Sequence, residues 1–180
     1  MAKVNPQDPA YKGDGQTVVL PKGTYFLAGC KLTRGESSQK KTPYVDVTMV
    51  VYGGDHHGDK TRIRYYLSEK SLFRIANLAD ACGYQDEFDT DVDAELGEAV
   101  LGRVFRAQVK VETPKAGEQW PEKNDVGFVN RLTEPEEAQI DSIVEKLGDP
   151  LAPKDGDESD DPTGGGEDSG LSDDDDSIPF

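Results

Sequence analysis

Cationic and aromatic side chains alternate along one short segment of the sequence. Arg62, Arg64 and Tyr66 lie two residues apart in TRIRYYL. Residues two apart in a β-strand share one face, so these side chains are expected on one surface, with Ile63 and Tyr65 facing the core. A ligand made of single-stranded nucleic acid requires cations for its phosphates and flat rings for its bases. The segment therefore predicts a surface that binds a single strand.

The first half of the chain supplies more residues of the same kinds. The other predicted DNA-binding residues are Lys22, Lys31, Arg34, Lys40, Lys41, Tyr44, Tyr52 and Lys60. Segment 35–43, GESSQKKTP, is as typical of a solvated hairpin tip as of a loop that contacts DNA. Phe26 and Phe73 are interpreted as core residues. The sequence leaves open which of the other rings stack on bases and which fill the core.

Two clusters resemble metal sites without meeting their requirements. The turn GGDHHGD at residues 53–59 holds both histidines of the chain, but adjacent side chains on a turn point apart, and its Asp and Gly residues suit a turn equally well. A calcium loop beginning at Asp89 would need Gly and Glu at positions occupied by Ala94 and Val100. Cys30 and Cys82 belong to no CxxC pair, so a zinc site is not expected either. We predict no metal and no cofactor.

Catalytic motifs are missing from the sequence. It contains no nucleophile elbow, no phosphate-cradling loop and no HExxH. Two histidines in one turn leave few candidates for general acid–base catalysis. We therefore expect a binding protein rather than an enzyme.

Hydrophobic periodicity and turn residues predict the elements that must position these side chains. Strands are expected at residues 24–32, 44–52, 61–67, 103–111 and 126–132, the fourth of them with a bulge. A helix is expected after Ser68 as N-cap, with Leu72, Ile75, Ala76 and Ala79 on one face and Gly83 as its stop. The acidic residues 84–99 are interpreted as a loop. Thr133 and Glu136 form a capping box for a last helix whose apolar side holds Ile140, Ile143, Val144 and Leu147.

Three strands, a helix and two strands follow one another in the order of the OB-fold. The predicted fold class is mainly β: a five-stranded OB-fold-like barrel with one helix between strands three and four, and a second helix after the barrel. Three regions are expected, namely a flexible arm at residues 1–16, the barrel domain at 17–148, and a disordered acidic tail at 149–180.

Charge is distributed unevenly along the 180 residues, whose formal net charge is −16. Residues 1–79 have a net charge of +5, whereas residues 134–180 have a net charge of −15. An acidic protein would ordinarily repel nucleic acid, but here the part that contains the predicted surface is basic. With no apolar run of about 18 residues, no hydrophobic leader and two cysteines, the chain is expected in a reducing cytoplasm, without membrane contact.

The end of the chain combines acidic and apolar residues in an unusual way. Asp173, Asp174, Asp175 and Asp176 precede Ser177, and Ile178, Pro179 and Phe180 follow. A tail that served only solubility would have no reason to expose Ile and Phe. Such a peptide suits a hydrophobic pocket rimmed by Lys or Arg on another protein.

This ending closely resembles the C-terminal tip of bacterial single-stranded DNA-binding proteins, with Ser177 as an insertion between the acidic run and Ile178. The body looks more like the divergent single-stranded DNA-binding proteins of bacteriophages, on the strength of its strand order, its basic first half and Ala81-Cys82-Gly83. The resemblance implies an OB-fold body that coats exposed DNA during replication, recombination and repair. It also implies a tip that recruits host or phage enzymes of those processes, in the host bacterial cytoplasm if the protein is phage-encoded.

Two other functions compete with this interpretation. An acidic adaptor or DNA-mimic inhibitor would explain the tail, but it would have no use for a basic first half. A small hydrolase or nuclease could use the turn at residues 53–59, and it would require a metal-dependent activity on oligonucleotides. Oligomeric state, site size and the choice of DNA over RNA are not encoded in any recognisable pattern.

Overall fold

The computed structural model describes residues 16–152. All of the expected arm at residues 1–16 except Gln16 lies outside the described residues, as does the chain beyond Ala152, including the acidic tip. Within the described part, no helix is long and apolar enough to cross a membrane.

Five strands and three helices make up the described chain. The strands are β1 (Gly23–Glu36), β2 (Pro43–Tyr52), β3 (Lys60–Tyr66), β4 (Val104–Glu112) and β5 (Lys123–Asn130). The helices are α1 (Leu72–Ala81), α2 (Asp93–Val100) and α3 (Glu134–Leu147). The mainly β class and all five predicted strands are therefore confirmed, with ends that shift by a few residues.

The strands form one antiparallel sheet in the order β3-β2-β1-β4-β5. It is an open sheet rather than a closed barrel, because no hydrogen-bonded ladder joins β3 to β5 in residues 16–152. Side chains and the segment before β1 bridge the gap between β3 and β5 instead. The Thr61 hydroxyl and the Leu20 backbone N–H each donate to Asn124 Oδ1 at 2.7 Å, and Val18 N–H donates to the Lys60 carbonyl.

The main core lies on the concave side of the sheet. Its largest buried side chains include Tyr65, Phe105, Leu20, Leu27 and Met49. Helix α1 covers this core with Ile75, Leu78 and Ala79, and α2 covers it with Leu96, Ala99 and Val100.

Two details of α1 differ from the prediction. The helix begins at Leu72 with Ser71 as its N-cap, because residues 68–71 form a turn in which Ser68 accepts the N–H groups of Ser71 and Leu72 through its carbonyl. Phe73 was wrongly assigned to the core, since it is 61% exposed. Gly83 ends the helix as predicted, with a φ of 80° that favours glycine.

Helix α2 was not predicted, and the assignment of residues 84–99 to a loop was wrong over its second half. Its eight residues include Gly97, and its N-cap, Val92, has no side chain that can cap a helix. Local sequence therefore favours a helix only weakly here. Burial of one short apolar side against β1 and α1 compensates for that weakness.

Helix α3 packs on the opposite, convex side of the sheet. The predicted capping box between Thr133 and Glu136 is present. Ile140 packs into a second, smaller core with Ala28, Val50 and Tyr52, and Ile143 and Val144 pack against it. Leu147 was expected on this apolar side but is 56% exposed.

A bulge in β1 changes which residues face the convex side. The register with β2 shifts between Gly29 and Lys31. Before the bulge, Phe26 and Ala28 lie on the convex side and face α3. After the bulge, Lys31 and every second residue that follows it lie on the convex side. The register between β4 and β5 also shifts, since Ala107 pairs with Val129 and Val109 with Val126. The extra residue therefore lies in β5, and the prediction of a bulge in β4 is wrong, because β4 pairs with β1 without interruption.

Candidate nucleic-acid interface

Three rows of side chains cross the open half of the convex face. The first row is Lys31, Thr48 and Arg62; the second is Thr33, Asp46 and Arg64; the third is Gly35, Tyr44 and Tyr66. Their alternation with buried core residues of β2 and β3 fixes their direction, and Ile63 and Tyr65 face the core as predicted. We call these three rows the convex surface.

Arg64 lies at the centre of the convex surface and is held by two neighbours. Its Nε and Nη2 donate to the two carboxylate oxygens of Asp46 at 2.8 Å and 2.9 Å. Its Cζ lies 3.6 Å from the centroid of the Tyr44 ring. The hydrogen bond to Asp46 raises the pKa of Arg64 above its ordinary value, so the guanidinium stays charged. Because Asp46 compensates that charge, Arg64 mainly fixes the orientation of Tyr44.

The rings of Tyr44 and Tyr66 are presented at the end of this surface. Their centroids lie 6.1 Å apart with an edge-to-face angle of 79°. A Cβ at position 35 would collide with the Tyr44 ring, so Gly35 provides the space that the ring occupies. Both rings and Lys40 border a shallow depression of about 670 Å³ beside the β1–β2 turn.

Arg62 offers an uncompensated charge on the convex surface, as does the exposed Lys31 of the same row. Arg62 is exposed, and none of the ion pairs found between residues 16 and 152 involves it. It borders a second depression of about 440 Å³, together with Val18, Trp120 and Lys123. A phosphate group placed there would meet Arg62 without displacing a carboxylate.

Trp120 is the functional candidate that sequence reasoning missed. It lies in the loop between β4 and β5, where its Nε1 donates to Glu118 Oε2 at 3.1 Å and Lys123 Nζ lies 5.0 Å from its ring. The loop has no strand periodicity, so it was not assigned to any surface. The sequence does contain one signal for this residue: Trp120 is the only tryptophan of the chain, and it stands in a polar loop between Lys115 and Lys123.

Tyr52 has to be removed from the predicted set. Its side chain is only 4% exposed, because α3 covers this end of β2, and its hydroxyl donates to Asp149 Oδ1 at 2.7 Å. Burial and this hydrogen bond raise its pKa. The ring thus fills the second core and is not available to stack on a base.

The remaining predicted cations are divided between several places. Arg34 does not lie on the convex surface, since it pairs with Asp93 and donates to the Thr90 carbonyl beside α2. Lys60 lies on β3 two residues before Arg62, in register with Val50. Lys22 is exposed just before β1, and Lys40 and Lys41 are exposed in the turn after it.

The turn at residues 53–59 serves the attachment of α3. His57 Nδ1 accepts the Gly53 N–H at 2.9 Å, and its Nε2 lies 3.2 Å from the Gly148 carbonyl. His56 Nδ1 lies 2.9 Å from Asp59 Oδ2. Across residues 16–152, no group of three or more His, Cys, Asp or Glu side chains is placed to hold a metal ion.

Comparison with known families places the chain in a family. The family described as "Protein of unknown function (DUF669)" matches residues 10–139. The chain belongs to the DUF669 family. No curated protein matches it. The matched range includes all five strands of the described residues 16–152 and ends within α3, so the convex surface lies inside the region that defines the family.

Proposed function

We propose that this DUF669 protein binds single-stranded DNA along the convex surface, without catalysis and without strong sequence preference. The observation that carries the proposal is the convergence of Tyr44, Tyr66 and Arg62 on one solvent-facing part of the sheet, with Trp120 at its border. Rings stack on any base, and an exposed arginine pairs with any phosphate.

We also propose that the open sheet is a variant of the OB-fold. Its order, β3-β2-β1-β4-β5, becomes a ring if β3 and β5 are brought together, and Thr61 and Asn124 already join those strands by a hydrogen bond. Helix α1 follows β3 in the chain and packs near the gap between β3 and β5, where Arg74 pairs with Asp125 of β5. OB-folds commonly bind oligonucleotides on the face of strands two and three and with the adjoining loops. The convex surface and Trp120 occupy the corresponding places.

Helix α3 limits the extent of the proposed site. It covers the convex side of the sheet around Val50 and Tyr52, whereas Lys31, Thr33 and Arg62 remain exposed. A single strand would therefore run across β3 and the first half of β2, between the β1–β2 turn and the Trp120 loop. Duplex DNA would hide its bases from Tyr44, Tyr66 and Trp120, so stacking favours single strands.

A titration with fluorescent oligonucleotides tests the proposal. Anisotropy should show tighter binding to a single strand than to the matching duplex, and the emission of Trp120 should change in parallel. Arg62→Ala should weaken binding and reduce the slope of log K against log salt by about 0.7, the value for one phosphate contact on a single strand. Lys146→Ala, which removes an exposed charge from α3, is the matched control and should leave both unchanged. Equal or tighter binding to duplex DNA would contradict the stacking arrangement.

A further inference from the structure

A groove between α1 and β5 lies apart from the convex surface. Its walls are formed by Phe73, Arg74 and Asn77 of α1 and by residues 125–129 of β5, and Lys110 of β4 stands at its border. Its volume is about 320 Å³. We call it the seam groove, because it lies where the sheet is open between β3 and β5.

Two phenylalanines border the seam groove with their rings in solvent. Phe73 is 61% exposed and Phe128 is 71% exposed. Isolated exposed apolar residues need no explanation, but two large rings at the border of one groove indicate a binding site. Neither ring is needed to cover the main core, which is closed by Ile75 and Leu78 beneath α1.

A buried hydroxyl group at this groove lacks a partner. Tyr65 is 1% exposed and lines the seam groove, and its hydroxyl makes no hydrogen bond within residues 16–152. Buried polar groups are nearly always hydrogen-bonded, so an exception requires an explanation. A polar atom of a bound ligand would satisfy this hydroxyl.

The charges of the seam groove favour an anionic ligand. Asp125 is already paired with Arg74, whose Nη2 also lies 3.5 Å from the Val126 carbonyl. Lys110 adds a positive charge, and no ion pair formed by the described residues includes it. The net charge of the lining is therefore positive.

We propose that the seam groove is a second nucleotide subsite, which holds one unstacked base of the same single strand. This inference rests on the proposed function. Phe73 and Phe128 would contact the faces of the base, whereas Tyr65 and Asn77 would hydrogen-bond to its edge. Lys110 would pair with the adjoining phosphate. The two sites are neighbours along β5, since Lys123 and Asn124 border the Trp120 depression and Asp125 borders the groove.

An indole placed in the groove can report on its occupant. In the full chain, Trp120→Phe removes the native emission while keeping an aromatic ring, and Phe128→Trp adds a single indole at the groove. Titration with a thymine oligonucleotide of about 15 residues, followed by anisotropy and by indole emission together, should give quenching at the concentrations where binding occurs. Separately, Phe128→Ala should weaken affinity by about 10-fold, within the range for loss of one stacked base. Leu147→Ala, which removes another exposed apolar side chain, is the control and should leave affinity unchanged.

The outcomes separate this inference from the proposed function. Suppose that the oligonucleotide binds and that Arg62→Ala weakens this binding, but that the indole emission does not change and Phe128→Ala leaves the affinity unchanged. The seam groove is then not a subsite, whereas the proposal that the convex surface binds DNA stands. If no oligonucleotide binds to the unmodified protein, both proposals fail. If removal of residues 153–180 changes the indole emission without any nucleic acid, and the oligonucleotide then causes no quenching in the shortened protein, the groove holds the protein's own tail and the subsite is refuted.

Discussion

The hydroxyl groups of Tyr52 and Tyr65 are both buried, but only that of Tyr52 has a partner in the described residues. Tyr52→Phe should lower the free energy of unfolding by about 0.5–1.5 kcal/mol, because it deletes the hydrogen bond to Asp149. Tyr65→Phe should leave that free energy unchanged or raise it by about 1 kcal/mol, because it removes an unsatisfied group. Urea denaturation of the two variants measures the contrast. Equal destabilisation would show that the Tyr65 hydroxyl has a partner in solution.

Arg62 and Arg64 lie on the same face of β3 and should nevertheless respond differently to removal. Arg64→Ala leaves the Asp46 carboxylate, whose side chain is 5% exposed, without its partner. The expected loss of stability is about 1–3 kcal/mol, moderated because Arg64 itself is 38% exposed. Arg62→Ala should change stability by less than about 0.5 kcal/mol. Thermal unfolding of both variants, measured together with their DNA titrations, checks this difference in stability. Similar melting shifts for both would contradict the roles given to them.

The residues of the candidate site were predictable where alternation alone decides their direction. Arg62, Arg64 and Tyr66 follow the period of a strand, so their common face was evident. The position of Tyr52 depends on α3, a helix some 80 residues later in the chain, which no local pattern reveals. Trp120 was missed because its loop is placed by the strands on either side and not by any periodicity of its own.

The N-terminus of α3 depends on a charged group. Hydrogen bonds from the Thr133 backbone N–H and from Arg106 lower the pKa of Glu136 below its ordinary value of 4.5. A carboxylate with a lowered pKa stabilises the fold fully above that ordinary value, and the stabilisation is lost as pH falls through the lowered value. Glu136→Gln should therefore be less stable than the parent near neutral pH, with a difference that disappears in acid.

Chemical denaturation at several pH values measures this difference. Glu137→Gln, a neighbouring exposed position in the same first turn of α3, is the matched control for general charge effects on the helix. If both variants showed the same pH dependence, the effect would come from the helix dipole and not from the capping box.

At the scale of elements, the sequence predicted those that carry their own signals. The five strands alternate or carry β-branched runs, and α3 has its capping box and apolar stripe. Helix α2 and the β1 bulge have no such signals. They arise because Leu96 and Val100 pack into the core, and because the bulge shifts the alternation of β1 so that Leu32 packs against the main core and Lys31 lies on the convex side. Tertiary packing decides both.

At the scale of the whole molecule, the acidic tail should compete with DNA for the convex surface. Residues 153–180 contain 11 acidic residues and Lys154. A tethered anionic segment has a high effective concentration near the body, if it is disordered as the sequence predicts. Its removal should therefore strengthen binding to single strands at low salt, and added salt should erase the difference because the competition is electrostatic. Anisotropy titrations at several salt concentrations measure it, and unchanged affinity at low salt would show that the tail does not reach the surface.

The apolar tip should affect partners and not DNA. Replacing Ile178 and Phe180 by Ala leaves the charges of residues 173–176 in place, so competition with DNA should persist and affinity should match that of the parent. The same change removes the side chains with the most area to bury, so capture of a replication or repair enzyme should be lost. A pull-down from bacterial lysate with parent and variant as baits measures this. Asp173→Asn and Asp174→Asn together form the complementary control, because they lower the charge and keep the apolar tip. If parent and tip variant captured the same proteins, Ile178 and Phe180 would have no part in recruitment, and the acidic run alone would account for any partner.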